Sequence, residues 1–214
     1  MQTKTRSAFA ALPPHLVIDG AFGADIAEQL LAFAIAHEVE FVDSGIGNRK
    51  GKSEPTKIDK AVRNSRSIRD LGLLQTTVEK AFDAALPRAI SGLGLAPFAP
   101  TSLSIELAAH GDGGFYRRHI DTFVGNARSA SDRVLTGVYY FHDTPKGFSG
   151  GALRLHSLLP VEQGGTCTDI EPANDRLLLF PAWVPHEVCE VHCATGVFRR
   201  SRFAINCWYN RRPD

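Results

Sequence analysis

Apolar positions along this chain change their period near residue 100. From Ala24 to about Glu38, Ile26, Leu30 and Phe33 recur at helical spacing, and Asp25 and Glu28 have the spacing of a capping box. This segment is expected to be an amphipathic helix opened by that box. Leu74, Val78, Phe82, Ala85 and Ala89 form a second helical stripe, and both helices are expected to brace a sheet from outside. After about Leu103 the pattern turns to short alternating runs separated by Gly, Asp, Ser and Pro. That rhythm fits a jelly roll and not a parallel α/β sheet. The expected architecture is mainly β (α+β), a double-stranded β-helix (jelly roll) over 103–211 with N-terminal helices over 20–95 packed against the sheet. One domain over 1–214 is expected.

Three of the strand-like runs carry chemistry. In Phe115-Tyr-Arg-Arg-His-Ile-Asp-Thr-Phe123, His119 and Asp121 stand two apart, so in an extended strand both project to one face and can grip one ion. A third ligand is offered by His186, which follows the apolar run Arg176-Leu-Leu-Leu-Phe-Pro and a Pro-bounded turn. Two imidazoles and one carboxylate form the set that leaves open positions on non-haem Fe(II). In Arg202-Phe-Ala-Ile-Asn-Cys-Trp-Tyr209, alternation puts Arg202, Ala204, Asn206 and Trp208 on one face. There Arg202 offers a planar two-pronged donor to a carboxylate.

The order of H-x-D, Gly150-Gly-Ala-Leu-Arg-Leu155, Arg176-Leu-Leu-Leu-Phe-Pro, His186-Glu-Val and the Arg202 run resembles the Fe(II)- and 2-oxoglutarate-dependent dioxygenases, specifically their prolyl-4-hydroxylase-like branch. The resemblance covers roughly Leu103 to Arg211. It implies that His119, Asp121 and His186 hold iron, that Arg202 binds the distal carboxylate of 2-oxoglutarate, and that the Tyr140 hydroxyl joins it there. It also implies Fe(II), 2-oxoglutarate and O2 as cofactor and cosubstrates, with ascorbate as an accessory reductant. The implied reaction hydroxylates an unactivated C–H bond and releases succinate and CO2. Asp121 in place of a small residue favours hydroxylation over halogenation, because halide needs the vacated site. Two positions depart from many relatives: His110 stands where a tyrosine is common and Asn206 where some have a threonine that contacts the cosubstrate. Both keep a hydrogen-bonding group.

Length and charge narrow the class. A chain of 214 residues with 43% hydrophobic residues and a net charge of +1 can bury a sizeable core and shows no bulk preference for nucleic acid. Without an apolar run of roughly 20 residues no membrane span is expected, and a soluble cytoplasmic protein is. Cysteines 167, 189, 193 and 207 lack zinc-ribbon spacing and read as buried thiols. A zinc cluster of His186, Cys189, His192 and Cys193 would split its side chains between two strand faces. His15, His37, His142, His156 and His192 are assigned no chemistry. Gly111-Asp-Gly-Gly114 and Gly150-Gly151 read as a turn and a tight strand entry.

Two polar stretches, Asp43 to Thr56 and Thr122 to Asp132, are expected to be loops at the substrate entrance that act as lids. Arg63 and Arg66 either reach a substrate carboxylate or are simply solvated, the latter being the commoner case. The substrate is expected to be a small molecule or a peptide or protein, and the oligomeric state is left open. The competing class is a non-enzymatic metal-binding jelly roll of cupin type, a sensor or binding module, or a cupin-type isomerase or lyase. Arg202 with Tyr140 argues against the module, since a metal-only scaffold has no use for a cationic fork beside the ion, and the isomerase or lyase usually draws on more histidines near the first ligand pair.

Overall fold

The computed structural model of the chain describes residues 8–46, 57–122 and 132–212. Most of the two expected lid loops, residues 47–56 and 123–131, lies outside the described residues. The first strands and helices are β1 (Leu16–Asp19), α1 (Ala24–Ala36), β2 (Val42–Asp43), β3 (Arg63–Asn64), β4 (Arg66–Ile68) and α2 (Gln75–Leu93). Next come β5 (Ser102–His110), β6 (Phe115–His119), β7 (Asp132–Phe141), β8 (Ser149–Gly150), β9 (Leu153–His156) and β10 (Cys167–Ile170). The chain continues through β11 (Arg176–Pro181), β12 (His186–Val188), β13 (Val191–His192) and β14 (Arg202–Arg211).

These strands form a large sheet in the order β1-β11-β7-β14-β5-β4-β2, a smaller one in the order β10-β9-β12-β6-β3, and a β8/β13 ribbon. All the pairings are antiparallel, as in the expected double-stranded β-helix. Strands do not begin at Leu103: β1 precedes the stretch expected to be helical support, β2 to β4 lie within it, and together they join both sheets. At two to four residues each, they are too short to show a period. Cys193 and Cys207 are buried as expected, but Cys189 is only half-buried and Cys167 is exposed on β10, the edge strand of the smaller sheet.

The helices pack on the outer face of the large sheet. Leu30 and Ala34 of α1 and Val78, Phe82, Leu86 and Ala89 of α2 share one core with Leu135, Tyr139, Phe141, Phe203, Ile205 and Tyr209. Gly137 lets α2 approach, because a Cβ there would stand 2.9 Å from Phe82 Cε1. The expected capping box is not formed, and α1 ends at Ala36, short of Glu38. Its entry is held instead by a distant carboxylate: Asp175 accepts from the amides of Phe22 (2.9 Å) and Gly23 (3.0 Å) and from the Tyr139 hydroxyl. A carboxylate at a helix start answers the same orphan amides as a local cap. Between the sheets lies a second core of Val138, Tyr140, Leu153, Leu155, Leu178, Phe180, Val184 and Ala204. Among the described residues no helix is long and apolar enough to cross a membrane.

Candidate active site

The inter-sheet space opens into a narrow cavity lined by His110, Tyr116, His119, Asp121, Thr136, His186, Arg202, Asn206 and Trp208, among others. His119 and His186 are register partners on β6 and β12, and cross-strand partners face the same side. Their ring centroids lie 4.2 Å apart. The strand ends at His119, so the expected H-x-D strand is cut short. Asp121 sits past that end because its amide, with that of Thr122, turns to the carbonyl of Ala182. The turn still delivers the carboxylate: Asp121 Oδ1 lies 3.8 Å from His119 Nε2, and Oδ2 lies 3.6 Å from His186 Nε2. One potential ligand atom from each of the three residues lies within 4.8 Å of the others, a spacing one metal ion can bridge. Among the described residues, no other cluster of His, Cys, Asp and Glu is so arranged.

Hydrogen bonds behind the three side chains orient them. His119 Nδ1 is 2.8 Å from the Arg117 carbonyl and His186 Nδ1 is 2.9 Å from the Val184 carbonyl. A proton on each Nδ1 leaves each Nε2 lone pair facing the cavity. Thr136 Oγ1 donates to Asp121 Oδ2 at 2.8 Å. Burial, together with the neighbouring His186, holds the His119 imidazole down to about 3, so it is neutral and free to ligate. For Asp121, burial pushes upward, but His186, His119, Arg133 and the Thr136 hydroxyl prevail and keep it an anion.

Deeper in the cavity, Arg202 on β14 is in register with His110 on β5, and its neighbour Ala204 with Tyr140 on β7. Arg202 is 1% exposed. Its Nε donates to the Gly151 carbonyl at 2.6 Å, and its guanidinium carbon lies 5.0 Å from the Tyr140 ring centroid. Gly151 has φ +69, and a Cβ there would stand 2.7 Å from Arg202 Cδ. Gly151 is thus the seat of this arginine. Several buried polar atoms here have no partner among the described residues: Arg202 Nη2, the Tyr140 hydroxyl, both ring nitrogens of His110 and Trp208 Nε1. Each such atom costs about 1–3 kcal/mol, and the donors among them, gathered at and behind one cavity, describe a site shaped for an anion that accepts hydrogen bonds. A dicarboxylate with one end on Arg202 and Tyr140 and the other toward the triad matches that donor set. Burial, then the charges of Arg202 and Arg63, hold His110 well below the usual imidazole range, so it is neutral. Burial raises the Tyr140 phenol to about 12 against the pull of Arg202, so it keeps its proton to donate.

Asn206 also lines the cavity, so all seven residues singled out in the sequence converge on one region. Arg63 is not solvated: it is 6% exposed, lines the cavity, and is bonded to Glu106, Ser65 and the Gly45 carbonyl. Arg66 instead braces the carbonyls of Glu38 and Phe41 beside Phe198. Thr136, Tyr116, Glu106 and Arg133 were not legible as site residues. Alternation backward from Tyr140 would have placed Thr136 on the same face, but nothing local marks Glu106 or Arg133.

The sequence pattern of the 2OG-Fe(II) oxygenase superfamily matches residues 105–210. An uncharacterised PKHD-type hydroxylase of Synechocystis sp. is 34% identical over 147 residues, 66% of this chain and 47% of that protein, so the chain spans about half the length of this relative. A Pseudomonas putida prolyl-4-hydroxylase superposes with a TM-score of 0.67 at 22% identity, covering 94% of each chain. A Trichoplax adhaerens prolyl hydroxylase, solved with a hypoxia inducible factor peptide fragment, gives 0.65 at 22% identity over 92% of this chain and 83% of its own. With the matched segment running from β5 through β14 and carrying every residue of the triad, the chain belongs to the 2OG-Fe(II) oxygenase superfamily and has the fold of its prolyl-4-hydroxylase-like members.

Proposed function

We propose that this protein is an Fe(II)- and 2-oxoglutarate-dependent dioxygenase, its chain a single catalytic domain, that hydroxylates an unactivated C–H bond of a prolyl residue or an amino-acid-like substrate. One observation carries this: a His-Asp-His cluster and the buried Arg202 guanidinium line the same cavity, with the Tyr140 phenol against that guanidinium and, among the described residues, both Arg202 Nη2 and the Tyr140 hydroxyl unpartnered. A sensor that bound only metal would bear the cost of the second set without return. In this reading His119, Asp121 and His186 hold the metal, while Arg202 and Tyr140 hold the distal carboxylate of 2-oxoglutarate. His110, neutral, donates from one nitrogen and accepts at the other, and Asn206 adds an amide to the same wall. When bound, Fe(II) with 2-oxoglutarate and O2 supplies the oxidant for the C–H bond, with succinate and CO2 released. The protein's own work is to fix the cosubstrate, to hold the target carbon beside it, and to line the cavity with Val138, Leu153, Val188 and Trp208 so that water is kept away.

Succinate formation should be measured with Fe(II), 2-oxoglutarate and ascorbate across free amino acids, proline-containing peptides and cell extract, with products checked for a gain of one oxygen. Turnover should be stimulated by at least one of these. A His119→Ala, His186→Ala double variant should lose both iron and turnover. Iron bound tightly with no 2-oxoglutarate consumed under any condition would overturn the enzyme in favour of a metal-binding module.

A further inference from the structure

Charge around the cavity is out of balance even with its proposed ligands in place. Four guanidinium groups gather there: Arg202 at the buried end, then Arg63, Arg69 and Arg133 around Glu106 and Asp121. Adding a divalent ion and both carboxylates of 2-oxoglutarate still leaves net positive charge. The four cations are not equally committed. Arg63 is spent on Glu106, Ser65 and Gly45, Arg69 on Glu106 Oε2 at 3.1 Å, and Arg202 on Gly151 and the cosubstrate end.

Arg133 differs, since among the described residues its side chain donates no hydrogen bond. Its Nη1 lies 3.9 Å from Asp121 Oδ1, an ion pair beyond hydrogen-bonding reach, and its side chain is 24% exposed. Its guanidinium carbon stands 4.1 Å over the Trp208 ring. The indole face holds the guanidinium in place, and its N–H groups suit a planar two-oxygen acceptor. The place is specific: Trp208 lines the cavity, and Asp121 belongs to the candidate metal cluster.

We propose that the substrate carries a carboxylate, docked on Arg133 beside Trp208 and only a few bonds from the carbon that is hydroxylated. This rests on the oxygenase reading and narrows it: a prolyl residue deep within an uncharged peptide lacks the required group, whereas a free amino acid, or a peptide with an acidic side chain or terminus, has it.

Binding is tested in protein loaded with Fe(II) and 2-oxoglutarate under nitrogen, where no turnover occurs. The chain has two tryptophans; a W183F background leaves Trp208 as the fluorescent reporter, with calorimetry alongside. The probes are free L-proline and other free amino acids against their primary amides, and end-blocked peptides with and without a glutamate. At least one carboxylate should bind, with its amide about tenfold weaker or worse. R133M should erase that preference and R133K keep part of it, with 2-oxoglutarate affinity within about twofold in both. Preference for free amino acids identifies a small-acid substrate, and preference for the acidic peptide a peptide one. Equal binding of acid and amide, a preference that survives in R133M, or no binding by any probe would overturn the proposal. If R133M fails to fold, R133K and the acid-amide comparison on the unsubstituted residue decide it. In the aerobic assay, succinate formation stimulated only by uncharged probes sinks the carboxylate site and leaves the enzyme standing. Carboxylate-selective binding without any 2-oxoglutarate turnover does the reverse.

Discussion

The two faces of the large sheet use the same strands for opposite ends. Along β14, Phe203, Ile205, Cys207 and Tyr209 point into the helix-covered core, while Arg202, Asn206 and Trp208 line the cavity. On the outer face polar atoms are answered: the Tyr139 hydroxyl donates to Asp175 and that of Tyr209 to the Phe82 carbonyl at 2.7 Å. Aromatic rings close the remaining space, with Phe22 stacked on Tyr139 at 4.0 Å and Phe141 on Phe203 at 5.5 Å. On the inner face Tyr140 is as deeply buried as Tyr139, yet among the described residues its hydroxyl is unanswered, as are His110, Arg202 Nη2 and Trp208 Nε1. Adjacent residues of one strand thus separate stability from function. The outer face is finished by folding, and the inner face is finished only by a ligand.

The largest test of that division is Arg202→Ala. Removing a buried charge from the inner face should weaken 2-oxoglutarate binding by roughly 2–5 kcal/mol while leaving metal affinity nearly intact, because none of the three candidate ligands depends on Arg202. Calorimetry with an inert divalent ion in place of iron checks both quantities. Unchanged 2-oxoglutarate affinity would place the cosubstrate elsewhere and leave the orphaned donors without a purpose.

A smaller and sharper test exchanges one oxygen on each face. Tyr140→Phe should lower 2-oxoglutarate affinity by about 1.5–3 kcal/mol, one hydrogen bond to a charged group, without lowering the melting temperature of the ligand-free protein. Tyr209→Phe should do the opposite, costing about 1 kcal/mol of stability through its lost bond to Phe82 and nothing in affinity. Melting curves and calorimetry on the two variants should therefore cross. If both variants lose stability alike, the two faces are not distinct.

How much of this was legible in the sequence follows from the same division. The outer face announces itself by period, so both helices and the alternation of β14 could be read directly. The triad and Arg202 were legible because their residue types and order are constrained by metal and carboxylate chemistry. What remained hidden depends on contacts across long sequence gaps. The cap of α1 comes from Asp175, some 150 residues away, and not from Asp25 and Glu28. Arg63 looked solvated because its partner Glu106 is supplied by another strand. Arg133 has no local signature at all; only the fold places it over Trp208.

The smallest expected effect concerns protons on the inner face. His110 is buried beside Arg202 and Arg63 with neither ring nitrogen partnered, and burial holds its affinity for a proton well below that of an ordinary imidazole. In the unfolded chain the same residue titrates near 6.5. As pH falls below that value the unfolded state takes up a proton that the folded state refuses, so the native state loses stability on acidification and regains it above pH 7. His119, held down to about 3, adds to the same slope with the same sign. In the ligand-free protein His110 should account for up to about 2 kcal/mol of the stability lost between pH 7 and 5. His110→Phe should flatten that part of the melting-temperature profile and, by removing two unpartnered nitrogens, raise stability at pH 5 more than at pH 7.5. The slope left in the variant should then report His119 among the other titrating groups. Binding of 2-oxoglutarate should weaken in the same variant, because the N–H of neutral His110 is proposed to donate to the cosubstrate. A variant with an unchanged pH slope and undiminished cosubstrate affinity would mean that His110 belongs with the finished face of the sheet and not with the open one.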